Sequence, residues 1–248
     1  MSKVVLPQAK VAPVSVSPRR LLVYGVAKVG KTTALAQLED NLIIDLEKGT
    51  DMIAALKLNA YSVADIEAIL NEIRVVGTER YAKGQRAYPY RYITLDTADA
   101  LEEMCDVSAL AKFKNGKLAS KEQKESLTSI TELPHGLGYY YLREEVKRVI
   151  NLVGTYCERI ILTAHVKDRI VAEKAGAVAT VKDISLSGKL SSIICANMDA
   201  IGYMYRTPGS TTPFISFESF DANQIMGARC EHLAGKKMEL DWSKIFID

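Results

Sequence analysis

Short, uninterrupted apolar runs alternate along this chain with longer stretches whose apolar positions recur at helical spacing. Leu21-Leu22-Val23-Tyr24 is such a run, ending at Gly25. A glycine-containing loop follows, and then a helix-forming stretch from Lys31 to Leu38. Leu42-Ile43-Ile44-Asp45-Leu46 predicts a second buried strand, with helical periodicity from about Thr50 to Val75. Tyr92-Ile93-Thr94-Leu95-Asp96 predicts a third, followed by a helix from Ala98 to about Lys112. Leu142, Val146, Val149, Ile150 and Val153 keep helical spacing within Tyr141 to Cys157, and Ile160 to Ala164 is again continuous and apolar. Strands that are apolar on both faces and alternate with helices predict a parallel sheet covered on both sides. From about Asn197 the texture changes. Ala200 to Tyr205 and Phe214 to Phe217 flank Thr207-Pro208-Gly209-Ser210, which reads as an antiparallel hairpin closing the sheet.

Residues 1–19 carry Pro7, Pro13 and Pro18 among scattered valines and read as an extended arm. The core is expected over 20–222, with a C-terminal extension over 223–248. At 248 residues, 48% hydrophobic and 25% charged, the composition is that of a folded globular protein. The formal charge of +2, from 32 Lys+Arg against 30 Asp+Glu, argues against coating nucleic acid by bulk charge, so a polyanion site has to be local. Cys105, Cys157, Cys195 and Cys230 are widely spaced with no CxxC pair, which fits a reduced, cytoplasmic setting. No apolar run approaches the ~18 residues of a membrane span, so no membrane partner is expected.

Gly25-Val26-Ala27-Lys28-Val29-Gly30-Lys31-Thr32 matches GxxxxGK[ST] between a predicted strand and a predicted helix, the setting this phosphate-binding loop requires. The glycines permit a tight bend whose N–H groups converge on phosphate oxygens, and the helix that follows aims its positive end at them. Residues Gly25 to Thr32, together with Thr33, are therefore the expected ATP cradle. Lys31 would add a full charge to the β and γ phosphates, and Thr32 would offer a hydroxyl to Mg²⁺. Lys28 either reaches a phosphate or is a solvated loop charge. Asp96, at the tip of its strand, is the expected partner of Mg²⁺ through water. Glu47 lies just past the second strand and is the candidate base that activates water, with Asp45 the competing carboxylate. His165 closes the strand Ile160 to Ala164, where it is placed to sense the γ phosphate, with Lys167 and Arg169 beside it. Asp99 fits a helix-start role.

The order of these motifs, Gly25 to Thr32, Ile44 to Glu47, Ile93 to Thr97 and Ile161 to His165, resembles RecA-like ATPases over roughly residues 20 to 206. In particular it is similar to short phage-encoded RecA-like, AAA-type ATPases of single-strand annealing and recombination. The resemblance implies a RecA-like P-loop α/β core, Glu47 as water activator, Asp96 as Walker B aspartate, and His165 where RecA has a glutamine switch. It also implies single-stranded DNA as partner, homo-oligomers as rings or filaments, and a host cytoplasm. Neither a RecA-type N-terminal helical domain in residues 1–19 nor RecA's large C-terminal domain after Ala222 is expected. The stretches that correspond to DNA-binding loops are Lys112 to Lys124, with Lys112, Lys114, Lys117, Lys121 and Lys124, and Val166 to Lys189, with Lys167, Arg169, Lys174, Lys182 and Lys189; by charge each is either a phosphate-contacting loop or a solvated loop face. A third basic stretch, Arg80 to Arg91, mixes tyrosines with lysine and arginine, and either stacks on bases or packs in the core. Arg206 and Arg229 are the candidates for a trans arginine, the alternative for either being an ordinary surface residue. The expected activity is DNA-coupled ATP hydrolysis; the alternatives are a nucleotide-dependent assembly or helicase-loading factor with little hydrolysis, and a small-molecule kinase.

Overall fold

A computed structural model of the protein describes residues 9–13, 15–172, 178–218 and 225–248, with backbone only for 169–172 and 178–181. Its elements in chain order are β1 (Arg20–Gly25), α1 (Lys31–Ala36), β2 (Asn41–Asp45), β3 (Lys57–Asn59), α2 (Val63–Ala82), β4 (Tyr92–Asp96), α3 (Ala98–Asn115) and α4 (Lys121–Ser126). There follow α5 (Leu137–Val153), β5 (Arg159–Ala172), β6 (Val178–Ile184), α6 (Leu190–Ala196), β7 (Ala200–Tyr205), β8 (Phe214–Ser216), β9 (Gly227–Ala228), β10 (Lys237–Glu239) and α7 (Trp242–Ile245).

The sheet runs β10-β8-β7-β1-β5-β4-β2-β3. All pairs from β7 across to β3 are parallel, whereas β8, β9 and β10 join antiparallel. The expected α/β class, a mostly parallel sheet with antiparallel C-terminal strands, is what the structure shows. Each apolar strand feeds two cores because successive side chains point to opposite faces. Leu22, Tyr24, Ile44, Leu95 and Leu162 pack beneath α2, α3, α5 and α6, while Leu21, Val23, Ile43 and Ile161 meet α1 and the C-terminal Leu233, Ile245 and Phe246. The segment expected as an extension thus contributes β9 and β10 to the same sheet and part of its second core.

Three expectations are corrected. The helix expected from about Thr50 starts only at Val63, where the Ser62 hydroxyl accepts the Asp65 N–H at 3.1 Å, and Lys57–Asn59 instead pairs with β2 as an edge strand. Lys112 to Lys124 is not a loop: it holds the end of α3 and the start of α4, whose Ser120 and Gln123 form a capping box. Within Val166 to Lys189 the described residues are mostly strand: β5 continues past His165 to Ala172 and pairs antiparallel with β6, with Val166 opposite Ile184. Lys174 lies outside the described residues, as does the Arg169 side chain. Among the described residues, no helix is long and apolar enough to cross a membrane.

The α3–α5 contact is pinned by Glu145, whose side chain is 6% exposed. Its carboxylate accepts from Lys112 Nζ at 2.8 Å, Arg148 Nε at 2.9 Å and Ser108 Oγ at 2.7 Å. Burial pushes its pKa up, but the hydrogen bonds from Arg148, Lys112 and Ser108 outweigh that and bring it down to about 2. Because the folded value lies below the usual 4.5, this group's stabilisation is complete above the unfolded value and is lost as pH falls toward about 2. Its partners are a third to a half exposed, so screening keeps each pair modest. Glu145→Gln is expected to cost about 1–3 kcal/mol at neutral pH. Urea unfolding at neutral pH and near pH 3 checks this, with the gap between variant and wild type narrowing in acid.

Candidate nucleotide site

The carboxyl ends of β1, β2 and β4, the first residue of α1 and the middle of β5 at His165 carry the candidate catalytic groups, and the strand register sets their heights. Gly25 lies level with His165, and Asp45 with Asp96. Since β5 lies between β1 and β4, the phosphate loop and Asp96 face each other across His165's strand. Gly25 is needed for its own closeness: a Cβ there would stand 2.4 Å from Met204 O on β7. Gly30 occupies the left-handed region at φ 104°, which opens α1 onto the loop.

Lys31 is buried, its Nζ donating to Gly25 O at 3.1 Å and Val26 O at 3.3 Å. Burial lowers its pKa, against the attraction of Asp96, Asp99 and Glu47. The Thr32 hydroxyl donates to Asp96 Oδ2 at 2.6 Å, and the other Asp96 oxygen accepts from Thr163 Oγ1. Two hard oxygen donors this close, with Lys31 at the base of the loop, fit Mg²⁺ held with several waters. Val26, Ala27, Lys28 and Thr33 are exposed along the loop and first turn, Val29 is buried beneath it, and Lys28 has φ 63°.

Glu47 and His165 are brought together, with Glu47 Oε1 3.8 Å from His165 Nδ1. Thr97 Oγ1 donates to the same Glu47 oxygen at 2.5 Å, and His165 Nδ1 lies 2.7 Å from Asp99 Oδ2. Asp45 is a structural carboxylate. It is 1% exposed and accepts from the backbone N–H groups of Glu47 at 2.9 Å and Thr50 at 2.9 Å, and from the Thr50 hydroxyl at 2.6 Å. Burial raises its pKa, yet the bonds from Thr50, Glu47 and Gly49 hold it below the usual carboxylate range. Asp45 thus shapes the turn that carries Glu47.

Thr97, Asp99 and Thr163, which orient Glu47, His165 and Asp96, were not among the expected site residues. Of the two candidates for a trans arginine, Arg206 donates from Nε to Val29 O of its own phosphate loop at 2.9 Å and from Nη1 to Thr211 O at 2.8 Å. Arg229 donates to Ala196 O at 2.8 Å and lies 3.7 Å from Asp199, which accepts the Arg20 N–H at the opposite edge of the sheet. Arg86 and Arg91, in the third basic stretch, are paired with Asp40 and Glu158. These pairs favour the packing reading of that stretch.

A strand, a glycine-bounded loop with a buried lysine, and a helix whose threonine meets a strand-tip aspartate define a P-loop ATPase domain. Its sequence matches the AAA domain profile over residues 17–226, and the chain belongs to that family. P-loop ATPases of this kind generally bind ATP with Mg²⁺. Among solved structures, one described as the RadB recombinase aligns with 93% of this chain and 90% of its own, at 9% identity and a TM-score of 0.43. No curated protein matches.

Proposed function

We propose that the protein hydrolyses ATP and couples that cycle to single-stranded DNA, as a homo-oligomer of RecA-like type. The observation that carries the reading is the convergence of Lys31, Thr32, Asp96, Glu47 and His165 on one sheet edge. The triphosphate tail lies along Gly25 to Thr32, with Lys31 Nζ exchanging its carbonyl partners for the β and γ phosphates. Thr32 and Asp96 hold Mg²⁺, which supplies neutralisation of the phosphate charge. Glu47, steadied by Thr97, takes a proton from the water that attacks the γ phosphorus as the bond to the β-phosphate oxygen breaks. A cavity of about 200 Å³ beside the loop, lined by Gly30, Thr33, Gln37, Arg206 and Trp242, suits the ribose and base.

His165 continues without a break into the β5–β6 hairpin, so a change at the γ phosphate has a stiff lever to act on. That continuity favours the hairpin as the DNA-facing element. Lys112 to Lys124 is less suited: α3 leaves the site at Ala98 and its 18 residues run roughly 27 Å away, and Lys112 and Lys114 are engaged with Glu145 and Leu127 O. Phage recombination or replication is the pathway that the motif resemblance favours. ATP turnover with and without single-stranded DNA, at low and high salt, tests the coupling. Stimulation that fades with salt is the expected result, and turnover indifferent to DNA at low salt would remove the DNA half of the proposal.

A further inference from the structure

Beside the Thr32–Asp96 pair, three ligating side chains meet that no Mg²⁺ chemistry requires together. Glu47 follows β2, Asp99 lies in the first turn of α3, and His165 belongs to β5, so each comes from a different fixed element. One ligand atom from each lies within 4.8 Å of the other two. The closest pair is Asp99 Oδ2 and His165 Nδ1 at 2.7 Å, with Glu47 Oε1 at 3.8 Å from the same nitrogen. Bonds of about 2.1 Å in a tetrahedron place ligand atoms roughly 3.4 Å apart, so a small rotation of Asp99 makes the set fit one ion.

A second feature points the same way. Asp99 Oδ1 is buried and has no hydrogen-bond partner among the described residues. The three side chains are between 26% and 37% exposed, which leaves an open side for an incoming ion and a water as fourth ligand. From these observations we infer that Glu47, Asp99 and His165 form a site for a borderline divalent transition ion, with Zn²⁺ the best match. Occupancy of the site would switch off hydrolysis by capturing Glu47.

One imidazole and two carboxylates select against Mg²⁺, which prefers oxygen ligands throughout, and three mixed nitrogen and oxygen ligands with a fourth position left to water are the donor set of open Zn²⁺ sites. Two carboxylates and a neutral imidazole balance the ion's charge. Binding requires a free Nδ1 lone pair, so any proton held between Nδ1 and Asp99 is released to solvent as the metal–nitrogen bond forms. Thr97 remains bonded to Glu47 as an outer partner that aims the carboxylate. The inhibitory half of this inference rests on the function proposed above; the metal site does not.

The test uses the full chain without nucleotide, titrated with Co²⁺ and followed by its visible ligand-field absorption, and then with Zn²⁺ as competitor. One Co²⁺ per chain displaced by Zn²⁺ is expected, with His165→Ala and the near-isosteric Asp99→Asn each weakening binding by about tenfold or more. Absence of a ligand-field band, or both variants binding Co²⁺ as the wild type does, overturns the site. In the companion arm, Zn²⁺ at saturation should depress Mg²⁺–ATP turnover and a chelator should restore it. Turnover untouched by bound Zn²⁺ would overturn the inhibitory half while leaving the site in place.

Discussion

Glu47→Gln is expected to lower ATP turnover by about 10²–10⁴-fold while leaving Mg²⁺–ATP affinity close to wild type, the pattern of a group that works on the reacting water alone. The amide keeps the shape and can still accept the Thr97 hydroxyl at the oxygen that now lies 2.5 Å away, so the loop after β2 should keep its place. What is lost is the ability to take a proton. Steady-state turnover beside calorimetric binding of a non-hydrolysable analogue separates the two effects. A loss of affinity as large as the loss of turnover would mean that Glu47 shapes the site instead of acting in it. Asp45 gives the contrasting case: its carboxylate accepts from Thr50 and the loop backbone, so its replacement should loosen the whole turn.

Lys31→Met should behave in the opposite way, with nucleotide affinity falling by about 10–100-fold and folding stability holding or rising slightly. Lys31 is 6% exposed, and its ammonium is bonded to two backbone carbonyls, Gly25 O and Val26 O. Burial disfavours its charged form, and the attraction of Asp96, Asp99 and Glu47 offsets this only in part. A thioether of similar length removes the cost of burying that charge, leaves the chain packed, and has nothing to offer a phosphate. Thermal melts with and without Mg²⁺–nucleotide check both halves. A wild-type protein stabilised by nucleotide and a variant that is not would bear out the assignment; a variant stabilised equally would refute it.

The site's backbone chemistry was legible in the sequence because phosphate binding needs glycines and a lysine at fixed spacing, and buried parallel strands need unbroken apolar runs. Glu47, Asp96 and His165 followed from their positions at the ends of such runs. The residues that steady them were not legible, since Thr97, Asp99 and Thr163 act across strands whose order only the fold supplies. Arg206 is the same kind of case: its contact with Val29 O depends on β7 lying next to β1. β3 escaped notice because it spans three residues, is partly exposed, and sits where Ile53, Leu56 and Ala60 mimic helical spacing. The β5–β6 hairpin escaped because charged residues interrupt its alternation, and pairing with a second strand, which sequence pattern alone does not reveal, holds it in place.

A crystal structure with Mg²⁺ and a non-hydrolysable ATP analogue tests the central claim most directly. The β and γ phosphates should lie within hydrogen-bond reach of Lys31 Nζ, with Mg²⁺ on Thr32 Oγ1 and a single water between the Glu47 carboxylate and the γ phosphate. An analogue seated away from Gly25 to Thr32, or a Glu47 turned from the γ phosphate with no water between them, would contradict it.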